Sequence, residues 1–155
     1  NSDSDYDLSA ASESDFYYSD IFVGNIYIKN DTADLSVNWE WVPILHFSKE
    51  LSNAYVQLSG TKWSVIEFTE NVDQILLKRE GRNISIKSSY SSDELIVDYF
   101  DFGSAVVKFA ENALKELRKN HPKAKRNITI KGYEDDLKRL KKFYKSNIKS
   151  SELVQ

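Results

Sequence analysis

A chain of 155 residues, 41% of them hydrophobic and 13% aromatic, is one domain's worth of polypeptide with enough apolar side chains to fold around a core. It has no cysteine, which excludes disulfides, thiolate catalysis and cysteine-ligated metals, and no apolar run approaches the ~20 residues a membrane-spanning helix needs. The net charge of −3 conceals a split, because residues 1–107 carry 7 basic and 18 acidic side chains whereas residues 108–149 carry 14 and 5.

Residues 1–20 hold six acids, no base and many serines, the composition of a flexible acidic tail that Phe16, Tyr17 and Tyr18 could dock. They show no secretory signal, which with the missing cysteine makes a cytoplasmic location the expectation. Methionine is absent even at position 1, so Asn1 is not expected to be an initiator residue. From Ile21 to Ile28 the apolar, β-prone run predicts a strand. Asn30-Asp31 marks a turn, and Leu35, Val37, Trp39 and Trp41 alternate with polar residues as in a half-buried strand. Pro43 suits a helix start, and Ile44, Phe47, Leu51, Ala54 or Tyr55, and Leu58 then recur at helical spacing up to Gly60.

Strands are predicted at Trp63–Phe68, Gln74–Glu80, Asn83–Tyr90 and Leu95–Phe100, with Glu80-Gly81-Arg82-Asn83 as a tight turn. Gly103-Ser104 opens the clearest helix, with Ser104 as its expected cap and Val107, Ala110, Leu114 and Leu117 along one face. Arg118 and Lys119 suit its last turn and His121-Pro122 closes it. Asn127–Lys131 reads as a short strand. A final helix follows Gly132, with Tyr133, Leu137, Leu140 and Tyr144 as its stripe, Asp135 and Asp136 in its first turn, Lys141, Lys142 and Lys145 in its last, and Glu134–Lys138 and Asp135–Arg139 as i,i+4 pairs. Strands and helices are segregated in sequence. The expected fold is therefore one α+β domain over 1–155, an antiparallel sheet of about five to seven strands with about three helices packed mainly on one face.

Chemistry is sparse. His46 lies among apolar residues as a structural side chain, and His121 reads as a helix C-terminal cap. There is no paired-histidine metal spacing, no Gly-x-Ser-x-Gly elbow, and the five glycines are isolated, so no phosphate-cradling loop is present. The chain is expected to have no catalytic residue, no metal and no cofactor. Two charged surfaces remain. Lys123, Lys125, Arg126, Lys138, Arg139, Lys141, Lys142 and Lys145 form a basic third that could contact phosphates, although a solvated helix face explains them more simply. On the acidic side, Asp15, Asp20, Glu40, Glu67, Glu70, Asp73, Asp98 and Asp101 interleave with Tyr17, Tyr18, Trp41, Trp63, Tyr99 and Phe102, a mixture that would steer and anchor a basic partner.

The segments WSVIEFTENVDQILLKREGRNISIKSS and SSDELIVDYFDFGSAVVKFAENALKELRKN resemble the small immunity proteins of bacterial polymorphic-toxin and contact-dependent inhibition systems. In these a strand meander precedes a helix patterned like Phe102, Val106, Phe109 and Leu117. The resemblance spans residues 63–120 and rests on apolar positions alone. It implies a non-enzymatic protein that binds a cognate toxin domain, a nuclease among the targets such families take, and masks it with the acidic, aromatic surface. A small-ligand or structural module, or a nucleic-acid binder using the basic third, are the other expectations.

Overall fold

A computed structural model describes residues 23–68 and 71–153. Strands β1 (Val23–Ile26) and β2 (Val37–Pro43) pair antiparallel. Helix α1 (Ile44–Gln57) follows directly from Pro43. Strands β3 (Trp63–Glu67), β4 (Gln74–Glu80), β5 (Asn83–Ser88) and β6 (Ser91–Asp98) then form an antiparallel four-stranded meander in that order. Helix α2 (Tyr99–Asn120), a short 3-10 turn (Pro122–Arg126) and helix α3 (Ile128–Leu153) complete the α+β fold. The strands thus divide between two antiparallel sheets. They join at the outer edge of β6, where the Asn30 side-chain amide donates to the Ile96 carbonyl (3.3 Å) and the Asp34 N–H donates to the Asp93 carboxylate (3.0 Å).

Alternation in the meander puts Ser64, Ile66, Ile75, Leu77, Ile84, Ile86 and Leu95 inside, while Trp63, Val65, Glu67, Gln74 and Leu76 point to solvent. The described helices pack on the inner face. Gly81 takes a positive φ of 61° in the β4–β5 turn, a conformation that favours glycine, as the tight-turn reading expects.

Two helix starts differ from the sequence reading. Helix α2 begins at Tyr99, with the Asp98 carboxylate accepting from the N–H groups of Phe100 and Asp101, so Asp98 and not Ser104 is the cap. Asn127–Lys131 is not a strand. The buried Asn127 side chain accepts from the Thr129 N–H (2.8 Å), Ile128 begins α3, and Ile130 packs fully buried. A β-branched run carries strand propensity, and here the cap and the burial of Ile130 outweigh it. Because α3 runs from Ile128 to Leu153, Asp135 and Asp136 lie beyond its first turn and Lys141, Lys142 and Lys145 before its last. The acids of α3 also choose other partners than expected: Arg139 pairs with Asp136 (2.9 Å), and Glu134 reaches across to Arg118 on α2. His121 is the C-cap of α2, as expected, its N–H donating to the Leu117 carbonyl (2.8 Å).

The helices meet at Tyr55, which is fully buried. Its ring contacts Tyr99 (5.2 Å between centroids) and Phe102 on α2, and Phe143 (5.6 Å) and Tyr144 on α3. The Asn147 amide donates to both the Tyr55 and Tyr99 hydroxyls (3.0 and 3.1 Å), and the Arg79 guanidinium lies over the Tyr99 ring (3.9 Å). Gly103 makes room, since a Cβ there would stand 2.6 Å from the Tyr55 ring. Replacing Gly103 by Ala removes the mid-helix glycine penalty of about 1 kcal/mol but forces this overlap, with a net expected loss of about 1–3 kcal/mol in thermal or urea unfolding.

Burial pushes the Tyr55 hydroxyl up from 10.0 to about 12. The folded state then holds a proton that the unfolded state releases, so this contribution is intact below pH 10.0 and is lost as pH rises to about 12. Urea midpoints measured across that window should fall with pH, and Tyr55→Phe should flatten the fall.

Candidate functional site

One end of the meander gathers acidic side chains. The β3–β4 turn brings Glu67 and Asp73, the start of β6 brings Asp93 and Glu94, and the loop after β1 brings Asp34. Each carboxylate is held. The Ser89 hydroxyl and the Asn71 amide donate to Asp73 (2.9 and 3.0 Å), the Gln74 amide to Glu67 (3.3 Å), and the Ser85 hydroxyl to Glu94 (2.6 Å). The Ser36 hydroxyl and N–H, then Lys29, hold Asp34 below the usual carboxylate range. Lys87 sits 3.9 Å from Glu94 as a partial counter-charge.

Aromatic rings back this acidic end. Trp39 packs edge-on against Phe68 (5.2 Å) and Tyr90 (5.4 Å), and Phe68 stacks on Phe47 (5.6 Å). The Tyr90 hydroxyl donates to the Leu35 carbonyl (2.6 Å). Burial first, then the negative charges of Asp73 and Asp34, push Tyr90 up to about 12. Trp39 and Tyr90 remain partly exposed, so their ring edges accompany the carboxylates at the surface.

The structure separates the site residues expected from sequence. Glu67 and Asp73 belong to the acidic end. Asp98 and Asp101 lie at the opposite end of the sheet, where Asp98 caps α2 and pairs with Arg82. Burial works against the Asp98 charge, but Arg82 and the N–H groups of Asp101 and Phe100 outweigh it and hold the carboxyl below its usual range. Tyr99 is buried beneath Arg79, a core residue and not a surface anchor, because it begins a helix that turns it inward. Glu40 and Trp41 lie in β2, apart from the meander. Asp15, Tyr17, Tyr18, Asp20 and Glu70 lie outside the described residues. Asp34 and Asp93 escaped the sequence reading, which registered Asn30-Asp31 as a turn but had no means of placing it beside β6.

Glu40 has a feature of its own, a φ of 65°, the left-handed region that favours glycine. The β1–β2 register shifts here, and the side-chain Oδ1 of Asn25 accepts from the Glu40 N–H (2.8 Å), which fixes a bulge. Glu40→Gly should relieve the strained backbone and raise stability by about 0.5–1 kcal/mol in chemical denaturation.

The helical side carries a cleft of about 390 Å³ between α1 and α3, floored by Ala110. Its inner polar groups serve the fold: the Ser48 and Tyr133 hydroxyls bond each other (2.6 Å), and Tyr133 also donates to the Ala110 carbonyl (3.2 Å). His46 is partly buried, and burial lowers its pKa. Among the described residues, no group of three or more His, Cys, Asp or Glu is placed to hold a metal ion, and no helix is long and apolar enough to cross a membrane.

Comparison with known protein families, with curated proteins and with solved structures gave no match to this chain.

Proposed function

We propose that this protein is a non-enzymatic immunity protein that binds a cognate bacterial toxin domain and masks it, with a nuclease as the target class its charge best fits. The observation that supports this reading is the acidic end of the meander, with Glu67 and Asp73 at the β3–β4 turn and Asp34, Asp93 and Glu94 toward the β6 edge. A carboxylate array already fixed by hydrogen bonds loses little side-chain entropy on binding, so its charge is available for recognition. It presents negative charge to a basic groove, as a phosphate backbone would, and its field steers the encounter. The partly exposed rings of Trp39 and Tyr90 supply contact area beside it.

The basic third supports a nucleic-acid reading less well. Arg118, Arg139 and Lys141 pair with Glu134, Asp136 and Glu111, which removes part of the positive field phosphates would need.

Co-expression with the C-terminal domain of the neighbouring reading frame should rescue growth if that domain is toxic, and calorimetry should give tight binding that weakens with salt. The triple variant Glu67→Gln, Asp73→Asn, Asp93→Asn keeps the shape and removes three of the five charges. It should slow association by about tenfold or more and flatten the salt dependence while unfolding normally. An unchanged association rate would exclude this surface, and no binding at all would exclude the reading.

A further inference from the structure

The two edges of the meander are treated differently. At β6 the outward Ile96 carbonyl is taken by Asn30, and Asp34 bonds Asp93. The edge at β3 meets no other strand among the described residues, and the Thr61 hydroxyl reaches one of its outward carbonyls, that of Trp63 (3.1 Å). Its ladder phase is set by two bonds to β4, Phe68 N–H to the Asp73 carbonyl and Arg79 N–H to the Lys62 carbonyl. The even-numbered residues of β3 therefore face β4, and the N–H and C=O groups of Trp63, Val65 and Glu67 point out of the sheet. The side chains of the same residues lie on the solvent face, where Trp63 is 50% exposed, Val65 44% and the neighbouring Leu76 38%. Neither a proline nor an inward charge guards the strand, the usual devices against edge pairing.

We propose that β3 pairs antiparallel with β3 of a second copy of this chain, about a two-fold axis at Val65, so that the two meanders become one sheet. The edge is self-complementary in that direction only. Val65 meets Val65 and, with Leu76 beside it, forms an apolar row across the axis. Trp63 meets Glu67 of the other copy. Lys78 lies over the Trp63 ring (5.0 Å) and pairs with Glu80 (3.0 Å), so the Glu67 carboxylate arrives beside a cation. A parallel pairing would set like charge against like, whereas an isologous contact repeats each favourable pair twice. This inference does not depend on the toxin-binding reading.

The test is sedimentation equilibrium of the full chain, without any toxin, from micromolar to millimolar concentration. A monomer–dimer equilibrium is expected, with slowed hydrogen exchange at the Val65 and Glu67 amides as dimer accumulates. Val65→Pro removes an outward N–H that the meander itself does not use, so it should weaken dimerisation by about tenfold or more and leave the fold intact. Glu67→Lys should weaken it through repulsion from Lys78, and the double exchange Glu67→Lys with Lys78→Glu should restore it. The exchange pair keeps the proposal testable should Val65→Pro fail to fold. A monomer at every concentration overturns the proposal, as does a dimer that neither Val65→Pro nor Glu67→Lys weakens.

Discussion

The contact between Tyr55 and Gly103 is the point on which the helical layer turns. A tyrosine can lie fully buried at the junction of three helices only if its ring is surrounded and its hydroxyl is bonded. Rings from α2 and α3 supply the first condition and Asn147 the second. Gly103 supplies the space, since any Cβ there would overlap the ring. Each aromatic pair adds about 0.5–1.5 kcal/mol beyond simple burial, so the cluster repays the cost of a glycine in mid-helix. Tyr99 extends the node to the sheet, because it follows the Asp98 cap and lies beneath Arg79 of β4.

The distribution of polar groups follows from this arrangement. Inside, hydroxyls are consumed in pairs and chains: Ser48 with Tyr133, Tyr55 and Tyr99 with Asn147, Tyr90 with the Leu35 carbonyl. They hold helices and strands in register and are bound where they lie. What faces outward is of another kind: fixed carboxylates at one end of the meander, a half-apolar sheet face, and an open β3 edge.

The acidic end was only half legible in the sequence. Glu67 and Asp73 flank a turn between two strands, and a hairpin places such residues at one end of a sheet by local geometry alone. Asp34 and Asp93 are 59 positions apart and meet through a hydrogen bond between two sheets, a relation no local pattern encodes. Conversely, Asp98 and Tyr99 carried the same acidic–aromatic signature as surface residues, yet one caps a helix and the other is core. The signature reports residue type, and only the neighbouring elements decide whether a carboxylate is spent on a backbone N–H or left for a partner.

Local periodicity and turn chemistry by themselves determined the α+β class, the β3–β6 meander, the Gly81 turn and the His121 end of α2, because each depends on neighbours within a few residues. Tertiary structure decided the rest. The Asn127–Lys131 run became the first turn of α3 since burying Ile130 in the core outweighs its strand propensity. The strands divided into two sheets since β6 accepts side-chain and loop contacts at its edge in place of another strand. Gly103, which reads in sequence as a helix-opening residue, sits inside α2 since Tyr55, 48 positions earlier, needs the space. In each case the deciding energy comes from a contact between segments distant in the chain, and sequence spacing carries no record of it.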